Sequence, residues 1–185
     1  MTSPQRDELA HSIYASSHIT GEFVLRSGTV SNEYFDKYLF EADPALLREI
    51  ASALVPLVPP GTDALAGLEL GGIPIATMLS QLTGLPAYFV RKEAKTYGTC
   101  RLAEGGDVEG RRLTVVEDVV TSGGQVITSC GDLRERGAIV EHALCVIDRE
   151  SGGPAGLAAI GVELHPLFTM TELKAAAAPF GVTER

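Results

Sequence analysis

The residues best suited to chemistry lie in one segment, between positions 113 and 125. Leu113 to Val116 favour β-structure and predict a buried strand. Glu117 and Asp118 come next, where the strand is expected to end, and Thr121 to Gly124 precede a helical pattern. Backbone N–H groups at the start of a helix bind phosphate, and carboxylates can accept hydrogen bonds from sugar hydroxyls or help to hold a hydrated metal ion. The segment therefore predicts a site for a phosphorylated sugar. The alternative interpretation is an ordinary turn between a strand and a helix, with solvated acids.

Three cations follow another predicted strand and could bind a multiply charged leaving group. Arg91, Lys92 and Lys95 enter a segment, residues 92–110, that has little periodicity. A loop of this length inside a compact domain is often functional. Flexible cations that close over a diphosphate would stabilise its negative charge. Taken alone, however, such a segment more often indicates a solvated charged loop.

Two further groups could recognise a planar, acidic substrate. Arg149 follows an apolar strand, and a guanidinium there can bind a carboxylate through two parallel hydrogen bonds. A structural pair between Asp148 and Arg149 is the alternative. Tyr34 and Phe35 supply aromatic rings that can stack on a flat base, and packing in the core is their alternative.

The elements that must position these residues follow from alternating helical and extended patterns. Helix caps predict helices that begin near Ser3 and Asp43. Strands are then predicted at 64–70, 86–90, 112–116, 138–147 and 162–167, with helices at 75–82, 125–136, 152–160 and from 169. Residues 21–40 form a predicted small β region outside this alternation. The pattern predicts an α/β fold with a central, mostly parallel sheet and helices on both faces.

The composition limits the classes of partner and compartment. A chain of 185 residues fits one domain, and its net charge of −9 argues against broad nucleic-acid binding. No apolar run is long enough to span a membrane, and residues 1–10 lack the apolar core of a signal peptide. The three cysteines show no C-x-x-C spacing, which favours a cytoplasmic location. The four histidines show no ligand spacing, so no zinc site is expected.

The segment from 117 to 125 resembles the signature of the type I phosphoribosyltransferases: two acids, two apolar residues and a hydroxyl–glycine loop after an apolar strand. In that family the segment binds 5-phosphoribosyl 1-diphosphate (PRPP). The resemblance implies that Glu117 and Asp118 engage the ribose hydroxyls and that the loop surrounds the 5′-phosphate. The implied PRPP-binding residues are Arg91, Lys92, Lys95, Glu117, Asp118, Val119, Val120, Thr121, Ser122, Gly123, Gly124 and Gln125.

Other segments are similar to those of orotate phosphoribosyltransferases in particular. The run from Arg91 to Lys95, followed by Gly98, resembles the mobile catalytic loop, which implies a catalytic set of Lys95, Asp118 and Glu117. Residues 69–76 resemble the turn that contacts diphosphate. The segments at 25–36 and 148–153 resemble the N-terminal hood and the orotate contact. The implied orotate-binding residues are Arg26, Tyr34, Phe35, Thr121 and Arg149.

The resemblance implies transfer of the 5-phosphoribosyl group from PRPP to orotate, giving orotidine 5′-monophosphate and diphosphate. It also implies Mg²⁺ held through PRPP and water, with no direct protein ligand, and a cytoplasmic homodimer in which Lys95 reaches the neighbouring site. Residues 1–185 would form one phosphoribosyltransferase domain, with the hood at 1–42. Three residues differ from those that are usual in the family: Arg26 and Gly71 stand where lysine is common, and Tyr97 stands where histidine is common. These differences leave open a transferase for another base. A non-catalytic PRPP-sensing regulator is a further alternative.

Overall fold

The computed structural model describes residues 2–24, 28–93 and 102–177. Its α-helices are α1 (Ser3–Ser17), α2 (Lys37–Ala42), α3 (Pro44–Leu54), α4 (Gly72–Thr83), α5 (Gly124–Glu135), α6 (Gly153–Ala158) and α7 (Met170–Ala177). Its strands are β1 (His18–Val24), β2 (Val30–Phe35), β3 (Ala64–Leu68), β4 (Ala87–Val90), β5 (Ala103–Glu104), β6 (Arg112–Val120), β7 (Ile139–Asp148) and β8 (Glu163–Thr169). A turn of 3-10 helix, Val55–Leu57, follows α3.

The main sheet has six strands in the order β5-β4-β3-β6-β7-β8. The neighbours from β4 to β8 run parallel, and only β5 pairs antiparallel. One face packs against α1, α3, α4 and α7, and the other against α5 and α6. Because both faces are covered, β3 and β6 consist almost entirely of buried residues. The predicted α/β fold with a mostly parallel sheet is confirmed.

Local capping explains where the helices begin. The Asp43 carboxylate accepts hydrogen bonds from the N–H groups of Ala45 and Leu46, and Pro44 occupies the first turn of α3. At α7, Thr169 and Glu172 exchange side-chain-to-backbone hydrogen bonds of 2.7 and 3.1 Å. This reciprocal pair is the predicted capping box.

The N-terminal segment departs from the prediction of a β region over residues 21–40. Strands β1 and β2 do form an antiparallel hairpin outside the main sheet, but β2 ends at Phe35. The Asp36 carboxylate then accepts from the N–H of Tyr38 at 3.1 Å and caps α2. Helix α2 places Phe40 in the core with no exposed surface. The extended prediction was wrong for residues 37–40 because an N-cap interrupts it.

Strand β6 is longer than its predicted span of 112–116. Strand β6 runs to Val120, since its pairing with β7 continues through Glu117–Cys145 and Val120–Asp148. Glu117 and Asp118 therefore lie within the strand, not after it. Helix α4 similarly begins at Gly72, three residues before the predicted start. Across the described ranges 2–24, 28–93 and 102–177, no helix is long and apolar enough to cross a membrane.

Candidate active site

The predicted site residues that the structure describes lie at or next to the carboxyl ends of β3, β4, β6 and β7, apart from the aromatic pair of the hairpin. These ends meet at one edge because the four strands run parallel. Backbone contacts join the segments that follow them. The N–H of Lys92 donates to Glu69 Oε1 at 3.0 Å, and the N–H of Arg149 donates to the carbonyl of Val120 at 2.8 Å. In open α/β sheets this edge is where ligands bind.

The two acids of β6 form a buried pair at the centre of this edge. Glu117 is 8% exposed and Asp118 has no exposed surface. The N–H of Asp118 donates to Glu117 Oε1 at 3.0 Å. Burial, and then the charge of Asp118, raise the pKa of the Glu117 carboxyl well above its usual range. The alternative of a turn with solvated acids is wrong, because the acids are held inside the sheet.

Lys37 is a site residue that the sequence reasoning missed. Its ammonium forms an ion pair with Asp118 Oδ2. Burial is the largest single influence and would lower the pKa of Lys37, but the hydrogen bond with Asp118 and the charges of Asp118 and Glu117 together outweigh it, so the pKa is raised. The cation therefore keeps its charge beside the buried carboxylate. In the sequence its only signal is its position directly after the cap Asp36, at the start of α2.

A third carboxyl, that of Glu41, completes this cluster. Lys37 and Glu41 stand four residues apart on α2, so they share one face of the helix. Burial, and then the charge of Asp118, raise the pKa of Glu41 to about 8. Glu41 Oε1 has no hydrogen-bond partner among the described residues, although it is buried. A proton on Glu41 would remove the repulsion between two buried carboxylates.

Gly71 is the residue that lets the cluster form. A Cβ at this position would lie 1.6 Å from Asp118 Oδ2 and 2.7 Å from Glu41 Oε1. The contacts around position 71 thus explain why glycine stands there instead of the lysine that is common in the family, since any side chain would displace the acids. The adjacent Glu69–Leu70 peptide is cis, within the turn that was predicted to contact diphosphate.

The predicted phosphate loop lies at the N-terminus of α5. Thr121, Ser122, Gly124 and Gln125 are exposed, and Gly123 is buried with a φ of 80°. This positive φ is one that glycine adopts without strain. Helix N-termini with free N–H groups favour anions, so the loop can bind a phosphate.

Val119 and Val120 occupy the last positions of β6, before the loop. The N–H of Val119 donates to Asp118 Oδ1, and the Val120 carbonyl accepts from Arg149. Their side chains are half-buried and buried, respectively. Any contact they make with a ligand would therefore have to come from the remaining backbone groups.

The predicted cationic residues differ in whether their side chains are paired or exposed. Arg91 lies 3.4 Å from Glu104, in an ion pair, whereas the side chains of Lys92 and Arg149 are exposed. The Asp148 carboxylate accepts from the N–H of Glu150 at 2.9 Å. Lys95 and Arg26, together with the departure at position 97, lie outside the described residues.

The aromatic pair of the hairpin divides between surface and core. Tyr34 is exposed, and its ring centroid lies 5.5 Å from that of Phe23. Phe35 is half-buried and packs against the core, with its ring 6.1 Å from that of Tyr14. Core packing therefore accounts for Phe35 in part, whereas Tyr34 is available to a ligand.

Both the sequence and the fold of this chain are similar to those of known proteins. No family model matches the chain. A protein of Nocardioides sp. (strain ATCC BAA-499 / JS614), named orotate phosphoribosyltransferase, is 57% identical over 168 residues, which cover 91% of this chain and 94% of the relative. The crystal structure of Mycobacterium tuberculosis H37Rv orotate phosphoribosyltransferase in complex with Fe(III) dicitrate matches with a TM-score of 0.83 and 30% identity, over 92% of this chain and 99% of the other. A second structure of that enzyme, in complex with PRPP, matches with a TM-score of 0.79 and 27% identity over the same shares.

Proposed function

The chain belongs to the orotate phosphoribosyltransferase family, and we infer that it transfers the 5-phosphoribosyl group of PRPP to orotate, giving orotidine 5′-monophosphate and diphosphate. The observation that carries the inference is the buried pair Glu117–Asp118, next to a helix N-terminus, at the carboxyl edge of the sheet. A relative that is 57% identical over 91% of the chain has the same named activity, which disfavours another base or a purely regulatory role.

Catalysis would depend on positioning and on charge stabilisation. Orotate is already anionic at neutral pH, so its attack on the anomeric carbon needs no strong general base. As the bond to diphosphate breaks, the ribose ring gains oxocarbenium character. We propose that Glu117 and Asp118 hold the ribose hydroxyls, since a carboxylate can accept several hydrogen bonds. The backbone N–H groups of Thr121 to Gln125 would hold the 5′-phosphate.

The cluster also fits a hydrated magnesium ion. Three carboxyls, those of Glu41, Glu117 and Asp118, lie around one ammonium, that of Lys37, and carboxyl oxygens are the type of donor that Mg²⁺ and its bound waters prefer. Because Asp118 is fully buried and Glu117 nearly so, the acids fit an ion held through PRPP oxygens and water better than an ion they ligate directly. When bound, Mg²⁺ would neutralise charge on the diphosphate. The fixed acids would orient the ribose hydroxyls and the metal-bound waters.

Cationic residues at the edge of the site would bind the diphosphate of PRPP and the carboxylate of orotate. We propose that Arg91, Lys92 and Lys95 contact the diphosphate, with Lys95 stabilising the charge on the leaving group. Arg149, exposed after β7, would bind the orotate carboxylate. Arg26, Tyr34, Phe35 and Thr121 would complete the orotate pocket, with Tyr34 offering the more accessible ring.

We propose a cytoplasmic homodimer in which Lys95 acts in the neighbouring subunit's site, and one domain over residues 1–185 with the hood at 1–42. The free, buried Cys130 and Cys145 are consistent with a reducing compartment. If sites are shared, mixing inactive Lys95→Ala and Asp118→Ala proteins should restore activity, since mixed dimers contain one intact site. No recovery after subunit exchange would contradict the shared site.

The decisive assay measures diphosphate release from PRPP with orotate, with and without Mg²⁺. Release with orotate and Mg²⁺ is the expected result, and a panel of other free bases serves as the comparison. Release only with another base would favour the alternative transferase. Tight PRPP binding without release on any base would favour the regulator.

A further inference from the structure

Three potential metal ligands converge at the edge of the sheet opposite the active site. Glu163 and His165 lie two residues apart on β8, so their side chains point to the same face. His142, on the adjacent strand β7, is the register partner of Glu163. One ligand atom from each of these three residues lies within 4.8 Å of the others.

The distances between the three atoms suit one metal ion. His142 Nδ1 lies 3.1 Å from His165 Nε2, and Glu163 Oε2 lies 3.7 and 3.8 Å from these nitrogens. A point equidistant from the corners of this triangle is about 2.1 Å from each, the length of Zn–N and Zn–O bonds. The three side chains would therefore need little movement to bind a zinc ion.

We propose that His142, His165 and Glu163 form a binding site for a divalent transition-metal ion, specifically Zn²⁺, with water in the fourth position. Two imidazole nitrogens and one carboxylate oxygen are a donor set that suits zinc, whereas Mg²⁺ prefers oxygen ligands. The donor set thus separates this site from the magnesium chemistry of the active site.

Protonation and access are compatible with binding. Burial, more than the opposing charge of Glu163, lowers the pKa of His165, and this direction favours the neutral imidazole that binds a metal. The hydrogen between the two facing ring nitrogens would move to the other nitrogen of its ring when the metal binds. The side chains of His142, His165 and Glu163 are 34, 24 and 68% exposed, so an ion can reach them from solvent.

The location indicates a structural ion. His142 lies near the start of β7, whereas Asp148, at its other end, borders the active site. Six residues of extended strand separate them by about 20 Å. Strand β8 is the outer strand of the described sheet, and a metal bridging it to β7 would hold this edge in register.

The test is a Zn²⁺ titration of the whole protein, with millimolar Mg²⁺ present and a chromophoric chelator as competitor. The parent protein should bind one Zn²⁺ per chain at this site. His142→Gln and His165→Gln should each lower the affinity at least tenfold, and His11→Gln, a change of the same type in α1, should not. Glu163→Gln changes an exposed side chain and serves where a histidine variant folds poorly.

Two further readouts make the assignment specific. Co²⁺ in place of Zn²⁺ should give visible absorption bands that disappear in His165→Gln. Zn²⁺ should also raise the melting temperature of the parent protein but not of that variant. Turnover of orotate should be unchanged in His142→Gln, because the site is distant from the chemistry. Equal Zn²⁺ affinity in the parent, His165→Gln and Glu163→Gln proteins would overturn the proposal, as would no binding to the parent.

Discussion

Replacing Glu41 with Gln tests whether the folded chain stores a proton beside Asp118. The pKa of Glu41 is about 8 in the folded chain and near 4.5 in the unfolded chain, so the folded chain holds the proton between these values. The stability that this proton contributes is complete below pH 4.5 and is lost as the pH rises through 8. A Gln side chain resembles the protonated acid and cannot ionise, so Glu41→Gln should remove this pH dependence.

The size of the effect follows from proton linkage. Between pH 6 and pH 9, a carboxyl with these two pKa values lowers the unfolding free energy of the parent by about 3 kcal/mol. Partial screening of the carboxyl by solvent reduces this to about 2 kcal/mol. Relative to the parent, Glu41→Gln should therefore gain about 2 kcal/mol over this pH range.

Urea unfolding of both proteins at several pH values between 6 and 9 measures the difference directly. Using the difference cancels the other titrating groups that the two proteins share. Glu49→Gln, an exposed position on α3, is the matched control and should follow the parent curve. If the difference in unfolding free energy between the parent and Glu41→Gln stays constant across this range, Glu41 does not hold a proton in the folded chain at neutral pH and the reasoning is refuted.

Two further predictions concern the same edge of the sheet. Gly71→Ala should destabilise the fold by about 1–3 kcal/mol in urea unfolding, because its Cβ would lie 1.6 Å from Asp118 Oδ2. Gly131→Ala, whose Cβ meets nothing within 4 Å, should not destabilise it, and equal losses in both would contradict the steric argument. Lys95→Ala should lower kcat by orders of magnitude with unchanged circular dichroism, whereas Lys174→Ala should leave turnover intact; near-normal turnover in Lys95→Ala would remove the loop from the mechanism.

The local pattern was sufficient to predict the hydroxyl–glycine turn before α5 and most of the strand that precedes it. A buried strand, two acids and a hydroxyl–glycine turn are consecutive in sequence, so the segment from Leu113 to Gln125 carries its own structural signal. The end of β6 was not predictable in the same way. Its last four residues are extended because β7 pairs with them, and a partner strand is not encoded in the local pattern.

Contacts between distant residues set the limit of the sequence reasoning. Lys37 and Asp118 are 81 positions apart and meet only because α2 packs beside the sheet. His142 and His165 have no ligand spacing along the chain, yet the parallel register of β7 and β8 brings their ring nitrogens to 3.1 Å. In both cases the residue types were visible, but their proximity depends on tertiary structure.

Helix α2 connects the part of the proposed site that would bind the ribose with the part that would bind the base. Lys37 and Glu41 share one helical face, and both reach the buried Asp118 that would hold the ribose. The hairpin strand that carries Tyr34 and Phe35 ends directly before this helix. The ion pair between Lys37 and Asp118 therefore also fixes the end of the hairpin, so an acid proposed to bind the ribose helps to position the aromatic residues proposed to bind the base.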